Sequence, residues 1–367
     1  MAISTIDNNG VNLGQLGNRN MIINGAMQVA QRGTSVAITG GGYHTIDRWS
    51  TIANSSMSYA VTMSQESTDN DTNGFGYSLK LLTTTAQAMT GGQNYSLRYL
   101  IEGRDVKHLS YGTSDARVIT LSFWVKSNKT GVFSLQVYNG NTGTNYSMLT
   151  SYNVNVANTW EYKTIVIPAN TGQVMNRTSE IGMMLDFNLA SGADDIVSAF
   201  SWGLNYNGAA RAVTGQVNIL DTVNNYFQIT GVQLEVGDTA TPFEHKNVGQ
   251  ELLACQRYCW RVTKETTFHN VVNMAAYNAV VAYGVLNFPV KMRTSPTFTH
   301  SGVGDFLVTG QANDSSCTSL VAFEIATNNL QLGANGSGSL TQGSAYWVRF
   351  TSSSPTGSEF FQLDAEL

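Results

Sequence analysis

An all-β fold of antiparallel sandwich type is predicted by three observations. Apolar and polar residues alternate with a period of two in short runs, Asn/Gly-rich turns separate those runs, and only one segment has helical spacing. In order along the chain, the first ~20 residues are polar and aperiodic and read as an arm. Ile119, Leu121, Phe123 and Val125 alternate with Thr120, Ser122, Trp124 and Lys126, the pattern of a strand with one buried face. Phe133, Leu135 and Val137 repeat it after the strand, and Asn139-Gly140-Asn141-Thr142-Gly143 is a turn. Ile181, Met183, Leu185, Phe187 and Leu189 form the longest run, preceded by the turn Ala169-Asn170-Thr171-Gly172. One strand changes phase: Phe227 and Ile229 follow one alternation, Val232, Leu234 and Val236 the other. A bulge at Thr230-Gly231 would keep both sets inward.

A helix is expected over about 247–259, with Asn247 as cap, Gln250 reaching back, and Val248, Leu252, Cys255 and Cys259 on one stripe. Beyond it, alternation resumes over Val280 to Met292, Ser319 to Ala326, Ala345 to Phe350 and Phe360 to Leu367. Leu332-Gly333-Ala334-Asn335-Gly336-Ser337-Gly338 reads as a hairpin tip or loop.

Composition narrows the function classes. The chain has 367 residues, room for two or three domains, and 42% hydrophobic residues, enough for a packed core. Charged residues are only 12%, and 20 Lys+Arg against 25 Asp+Glu leave a net charge of −5, with no basic footprint for nucleic acid. Three cysteines cannot staple a disulfide scaffold. Met1 to Asp7 lacks the basic and apolar regions of a secretory signal, and no apolar run nears the ~18 residues of a membrane span, so folding in a cytosol is expected.

Several segments resemble a known family. Asn20 to Gly33, Asp47-Arg48-Trp49, Gly76 to Leu81, Ile101-Glu102-Gly103, Leu121 to Ser127 and Ile229 to Gly237 resemble bacteriophage virion structural proteins of the tail-fibre type, common in phages of marine bacteria and cyanobacteria. Thr241-Pro242-Phe243-Glu244-His245, Cys255-Gln256-Arg257-Tyr258 and Phe288 to Pro296 continue the pattern. The resembling module is similar to the jelly roll of family 4 and 9 carbohydrate-binding modules. The resemblance implies a non-enzymatic virion part, a homotrimer, touching host-surface glycans. A full-length tail fibre would carry an adaptor or coiled-coil shaft before residue 20, so attachment to tail or capsid stays open.

Several clusters carry groups capable of chemistry, and ordinary structure explains each of them. Asp69-Asn70-Asp71-Thr72-Asn73-Gly74 matches the first half of a calcium loop, but its twelfth position is Lys80, so an Asx-rich turn is expected and no metal. Cys255 and Cys259, with His245 and His269, match no zinc spacing. On a helix their Cβ atoms would stand ~5–6 Å apart, beyond the ~3.5–4.5 Å of a disulfide, so they read as packing. Asp194-Asp195 and Glu102/Asp105 would have to flank a glycosidic bond to act as a glycosidase; a solvated loop and a structural role explain them better. No G-x-S-x-G, H-E-x-x-H or Walker loop is present.

Aromatic side chains beside amides suit a sugar, which offers an apolar C–H face and a rim of hydroxyls. Tyr138 with Asn141 and Tyr146, and Trp202 with Tyr206, are therefore the candidate carbohydrate-binding residues. Trp49, Trp124 and Trp160 are assigned to packing. The expected organisation is an N-terminal arm (1–19), a carbohydrate-binding-module-like jelly roll (20–246), a linker helix (247–259) and a smaller C-terminal β-sandwich (260–367). No cofactor and no enzymatic activity are expected. The expected role is a virion surface part binding host glycan; passive decoration of capsid or tail is the alternative, and a polysaccharide depolymerase the third.

Overall fold

The structure, a computed structural model, describes residues 18–53, 56–68, 74–140, 146–204, 210–266, 269–310, 314–338, 340–351 and 359–367. Residues 1–17 of the expected arm lie outside them. The chain divides into two compact units, the first running to Glu251 and the second spanning Leu252–Glu366.

The first unit is the expected antiparallel sandwich of jelly-roll type. Six strands lie side by side in the order Ser35–Ile38, Ala60–Ser67, Tyr77–Thr85, Tyr226–Val236, Ile119–Ser127, Glu161–Ile167. Seven form the facing sheet: Phe200–Leu204, Tyr146–Val154, Gly131–Asn139, Ile181–Ser191, Asn94–Glu102, Trp49–Ala53 and Gly42–Tyr43. The alternation explains the core between them. Leu121, Phe123 and Val125 from one sheet meet Leu135, Val137, Leu185 and Phe187 from the other, all fully buried. Phe123 and Phe187 touch edge to face with centroids 5.3 Å apart, a geometry favoured by the ring quadrupoles.

The phase change falls at the expected bulge. Thr230 pairs with Trp124 but Gln233 with Ser122, so one extra residue is inserted, and Phe227, Ile229, Val232 and Leu234 are all buried. Only Val236, at the strand end, is exposed.

The family-like segments near the start tie this sandwich together. Asn24, with φ 59°, donates from Nδ2 to the Val29 and Asp47 carbonyls at 2.8 and 3.0 Å, and its Oδ1 accepts from Val29 N. Trp49 is buried against Tyr99 and Phe187 and donates to the Asn24 carbonyl. These motifs build structure.

The helix is shorter than expected. It spans Val248–Gln256, with Asn247 Oδ1 accepting from Gly249 N at 2.8 Å. Tyr258 N bonds to the Cys255 carbonyl and ends it, and Cys259 opens the strand Cys259–Thr263, paired with Asp364. Backbone pairing to the chain's last strand outweighs the apolar spacing that placed Cys259 on the helix.

Beyond the helix, the second unit is also built of strands. Its strands Asn270–Ala276, Val281–Asn287, Asn329–Gly336, Asp314–Phe323, Phe306–Thr309 and Ala345–Phe350 close into a barrel. Cys259–Thr263, Phe360–Asp364 and Thr297–His300 form a separate three-stranded sheet. Alternation reports one buried face per strand, which a sandwich and a closed barrel share, so closure was not legible. The expected loop over 332–338 is mostly strand. Leu330, Leu332 and Ala334 fill the barrel, and Gly333 sits where a Cβ would lie 2.8 Å from the Phe323 ring and 3.0 Å from Tyr283.

Candidate functional site

Of the described residues expected to bind sugar, Tyr138 stands apart from Tyr146 and Trp202. Tyr138 is only 6% exposed, and its hydroxyl donates to Gln136 Oε1 at 2.6 Å. Burial pushes its pKa up to about 12. It pairs with Ser147, so both point to the outer face of the seven-stranded sheet, and Tyr146 by alternation points to the other. Tyr146 and Trp202 do meet, stacked at 6.2 Å with planes 6° apart. Trp202 also packs edge-on against Tyr111 and on the core, and its Nε1 donates to the Pro168 carbonyl at 2.7 Å. Asn141 and Tyr206 lie outside the described residues, as do Asp69 and Asp71 of the calcium-like loop.

The acidic pairs are separated by burial. Asp194 is exposed, whereas Asp195 is buried beside Arg211 at 3.6 Å and accepts from Asn94 Nδ2. Glu102 is buried at the end of its strand with Arg104 at 3.8 Å. Cys255 and Cys259 are buried free thiols. Among the described residues no group of three or more His, Cys, Asp or Glu is arranged to hold a metal ion.

Asp195 carries a pH dependence. Burial raises its carboxyl to about 6 against the opposing pull of Arg211, so the folded state binds this proton more tightly than the unfolded chain does. Its contribution to stability is therefore largest at low pH and declines as pH rises from about 4 to about 6. Arg211 N donates to the Asp195 carbonyl, and Val213 N to Ser134 Oγ. Those amides are expected to exchange faster, after correction for intrinsic rates, at pH 7 than at pH 4.5, and Asp195→Asn should flatten the difference.

An open aromatic site lies on the outer face of the six-stranded sheet. A groove of about 590 Å³ is lined by Phe75, Trp124, Tyr162, Phe243 and His245, with Ser122 and Thr241 supplying hydroxyls. Its floor follows from register. Trp124 alternates with the core residues Phe123 and Val125, so it faces outward, and it pairs across the ladder with Tyr162. Their rings lie 5.3 Å apart, and Tyr162 is 44% exposed. Trp124 is thus not the packing residue expected from its place in a strand; the alternation itself carried the outward signal.

The wall is a braced segment following the strand Tyr226–Val236. Glu235 accepts from Thr241 N at 2.8 Å and Thr241 Oγ1 at 2.6 Å, and Glu244 N donates to Gln233 Oε1 at 2.8 Å. The Glu244 carboxylate collects the backbone N–H groups of Asn18, Arg19 and Asn20. Phe243 and His245 both pack on Phe75, at 4.8 and 5.2 Å. These bonds account for the Thr241-Pro242-Phe243-Glu244-His245 motif and hold the wall without a helix. No carboxylate, lysine or arginine is among the described lining residues. The groove can therefore cover apolar C–H surface, while the Thr241 hydroxyl is already given to Glu235.

No protein-family model and no curated protein matches the chain. Among solved structures, the enzymatically active domain of tailspike protein 4 from bacteriophage CBA120 aligns over 59% of this chain and 21% of its own, at 14% identity and a TM-score of 0.32. The chain thus spans about a fifth of that domain. The carbohydrate-binding module TmCBM61, solved with β-1,4-galactotriose, aligns over 60% of this chain and all (100%) of its own, at 10% identity and TM-score 0.30. A family 4 carbohydrate-binding module aligns over 58% and 98%, at 12% identity and TM-score 0.29.

Proposed function

We propose that the protein is a non-catalytic surface part of a bacteriophage particle, and that its first unit holds host-surface glycan in the groove over the six-stranded sheet. The carrying observation is the outward-facing Trp124–Tyr162 platform, half-buried at Trp124 and exposed at Tyr162, walled by Phe243 and His245. An aromatic face desolvates the C–H face of a pyranose. Single contacts of this kind are weak, and display of many copies on one particle multiplies them, because later contacts are effectively intramolecular. The virion setting rests on the resemblance of Asn20 to Gly33 and the segments that follow it.

The test is a glycan array followed by calorimetric titration of the best ligand. Trp124→Ala and Tyr162→Ala are each expected to weaken binding roughly tenfold or more without changing the melting profile. Failure of the native protein to bind any glycan, or unchanged affinity in both variants, would overturn the assignment.

A second reading, protein contact within a homo-oligomer such as a trimer, is favoured by the second unit. Tyr277, Val280, Val285, Val321 and Phe323 are exposed on and beside neighbouring barrel strands, and such apolar patches commonly mark interfaces. Light scattering of the purified chain decides it: a monomer at all concentrations removes this reading.

A further inference from the structure

The same outer face carries charge next to the groove. Gln228 pairs with Lys80 on one side and Lys126 on the other, so the three side chains form one row across the six-stranded sheet. Lys126 follows Trp124 by two residues on one strand, which puts it on the same face and roughly 7 Å along from the platform. Its Nζ stands 5.8 Å from the ring centroid of Trp160, and Lys80 Nζ stands 5.3 Å from that of Tyr226. The aromatic strip therefore continues past the groove as Tyr162, Trp124 and Trp160, with an ammonium group at its end.

Neither lysine has a carboxylate partner among the described residues, whereas Lys129, Lys163 and Lys264 are each paired. The acids on this face are Glu66, on the far side of Lys80, whose Oε1 accepts the Ser64 hydroxyl at 2.7 Å, and Glu235 behind the wall, whose carboxylate is taken up by Thr241 and Gln233. In a chain with 12% charged residues, an uncompensated cation in line with an outward-facing aromatic platform is a specific arrangement. A cation over a ring is stable without a ligand. What points to one is its alignment with the groove and its missing counter-charge.

We propose that the ligand of the groove is an acidic glycan, its sugars stacked on Trp124 and Tyr162 and a carboxylate or sulfate group seated at Lys126. This rests on the glycan reading above and names its substrate class. The anionic group would accept hydrogen bonds from Nζ, while Trp160 shields the pair from water and strengthens the attraction.

The experiment titrates the full chain with three probes of equal length: an oligogalacturonate, a sulfated galacto-oligosaccharide and a neutral galacto-oligosaccharide. At least one acidic probe is expected to bind roughly five- to tenfold tighter than the neutral one at low ionic strength. The advantage should vanish in about 1 M salt, and in Lys126→Gln, while neutral affinity stays unchanged. Which acidic probe gains tells carboxylate from sulfate. Equal binding of neutral and acidic probes, or equal weakening of both by Lys126→Gln, would sink the inference and leave the glycan site standing. Acidic binding that survives Trp124→Ala would place the anion elsewhere and also overturn it. Binding of no probe would overturn the acidic-glycan inference, and the array would still decide the glycan reading by itself.

Discussion

Replacing Lys264 with alanine is expected to destabilise the second unit by about 3–5 kcal/mol, because it strands a buried anion. Lys264 follows the strand Cys259–Thr263 and Glu359 precedes Phe360–Asp364, so the pair continues an antiparallel ladder, with Lys264 N bonded to the Glu359 carbonyl at 3.0 Å. Their side chains are 2% and 1% exposed, with Nζ 3.3 Å from Glu359 Oε2. Nζ also donates to the Thr351 carbonyl, and Thr351 Oγ1 donates to Glu359 Oε1 at 2.7 Å. Removing the cation leaves a buried carboxylate held by Thr351 Oγ1, with no other cation paired to it among the described residues. The double variant Lys264→Met/Glu359→Leu removes both charges and is expected to recover most of the loss, since a well-packed apolar pair is often neutral. Denaturant unfolding, with amide exchange localised to Cys259–Thr263 and Phe360–Asp364, measures it. A single variant as stable as the native chain would mean that the pair contributes nothing.

How much of this architecture was legible depends on the range of the interaction that decides it. Period-two alternation is local, and it located Ile119–Ser127, Gly131–Asn139 and Ile181–Ser191 with their buried faces. The phase switch at Thr230-Gly231 was equally local. Long-range bonds were not readable. Gln136, Asp186 and Asn188 occupy outward positions yet are buried. Gln136 Nε2 donates to the Ala210 carbonyl and Asn188 Nδ2 to that of Arg211, while Arg98 meets Asp186 in a bidentate pair at 2.6 and 2.5 Å. Composition misled over 332–338, where glycine and alanine serve a crowded barrel and not a loop. In the candidate site, Trp124 lay in the sequence pattern, but its partner wall did not. The wall depends on Glu244 binding N–H groups more than two hundred residues away.

Gly231 is where the bulge, the core and the groove converge, so its replacement is the sharpest test of how they depend on one another. Its φ of +61° is the left-handed region that a β-branched side chain avoids, at a cost of about 1–2 kcal/mol. A Cβ there would also lie 2.5 Å from Cζ of Phe75, whose ring packs against Phe243 and His245. The ring cannot retreat without opening the wall, and the bulge cannot flatten without turning Val232 and Leu234 outward. Overpacking of this kind costs a further ~1–3 kcal/mol, so Gly231→Val is expected to lose about 2–5 kcal/mol in total. Gly231→Ala should lose less, and Phe75→Ala in the same chain should relieve part of the loss, a coupling that a double-mutant cycle measures. If the two substitutions prove additive, Phe75 does not bear on the bulge, and the groove wall and the strand are independent. If they couple, sugar binding and sandwich stability share this residue, and a variant that survives folding should still lose affinity for glycan, because Phe75 is then displaced into the space the ligand would fill.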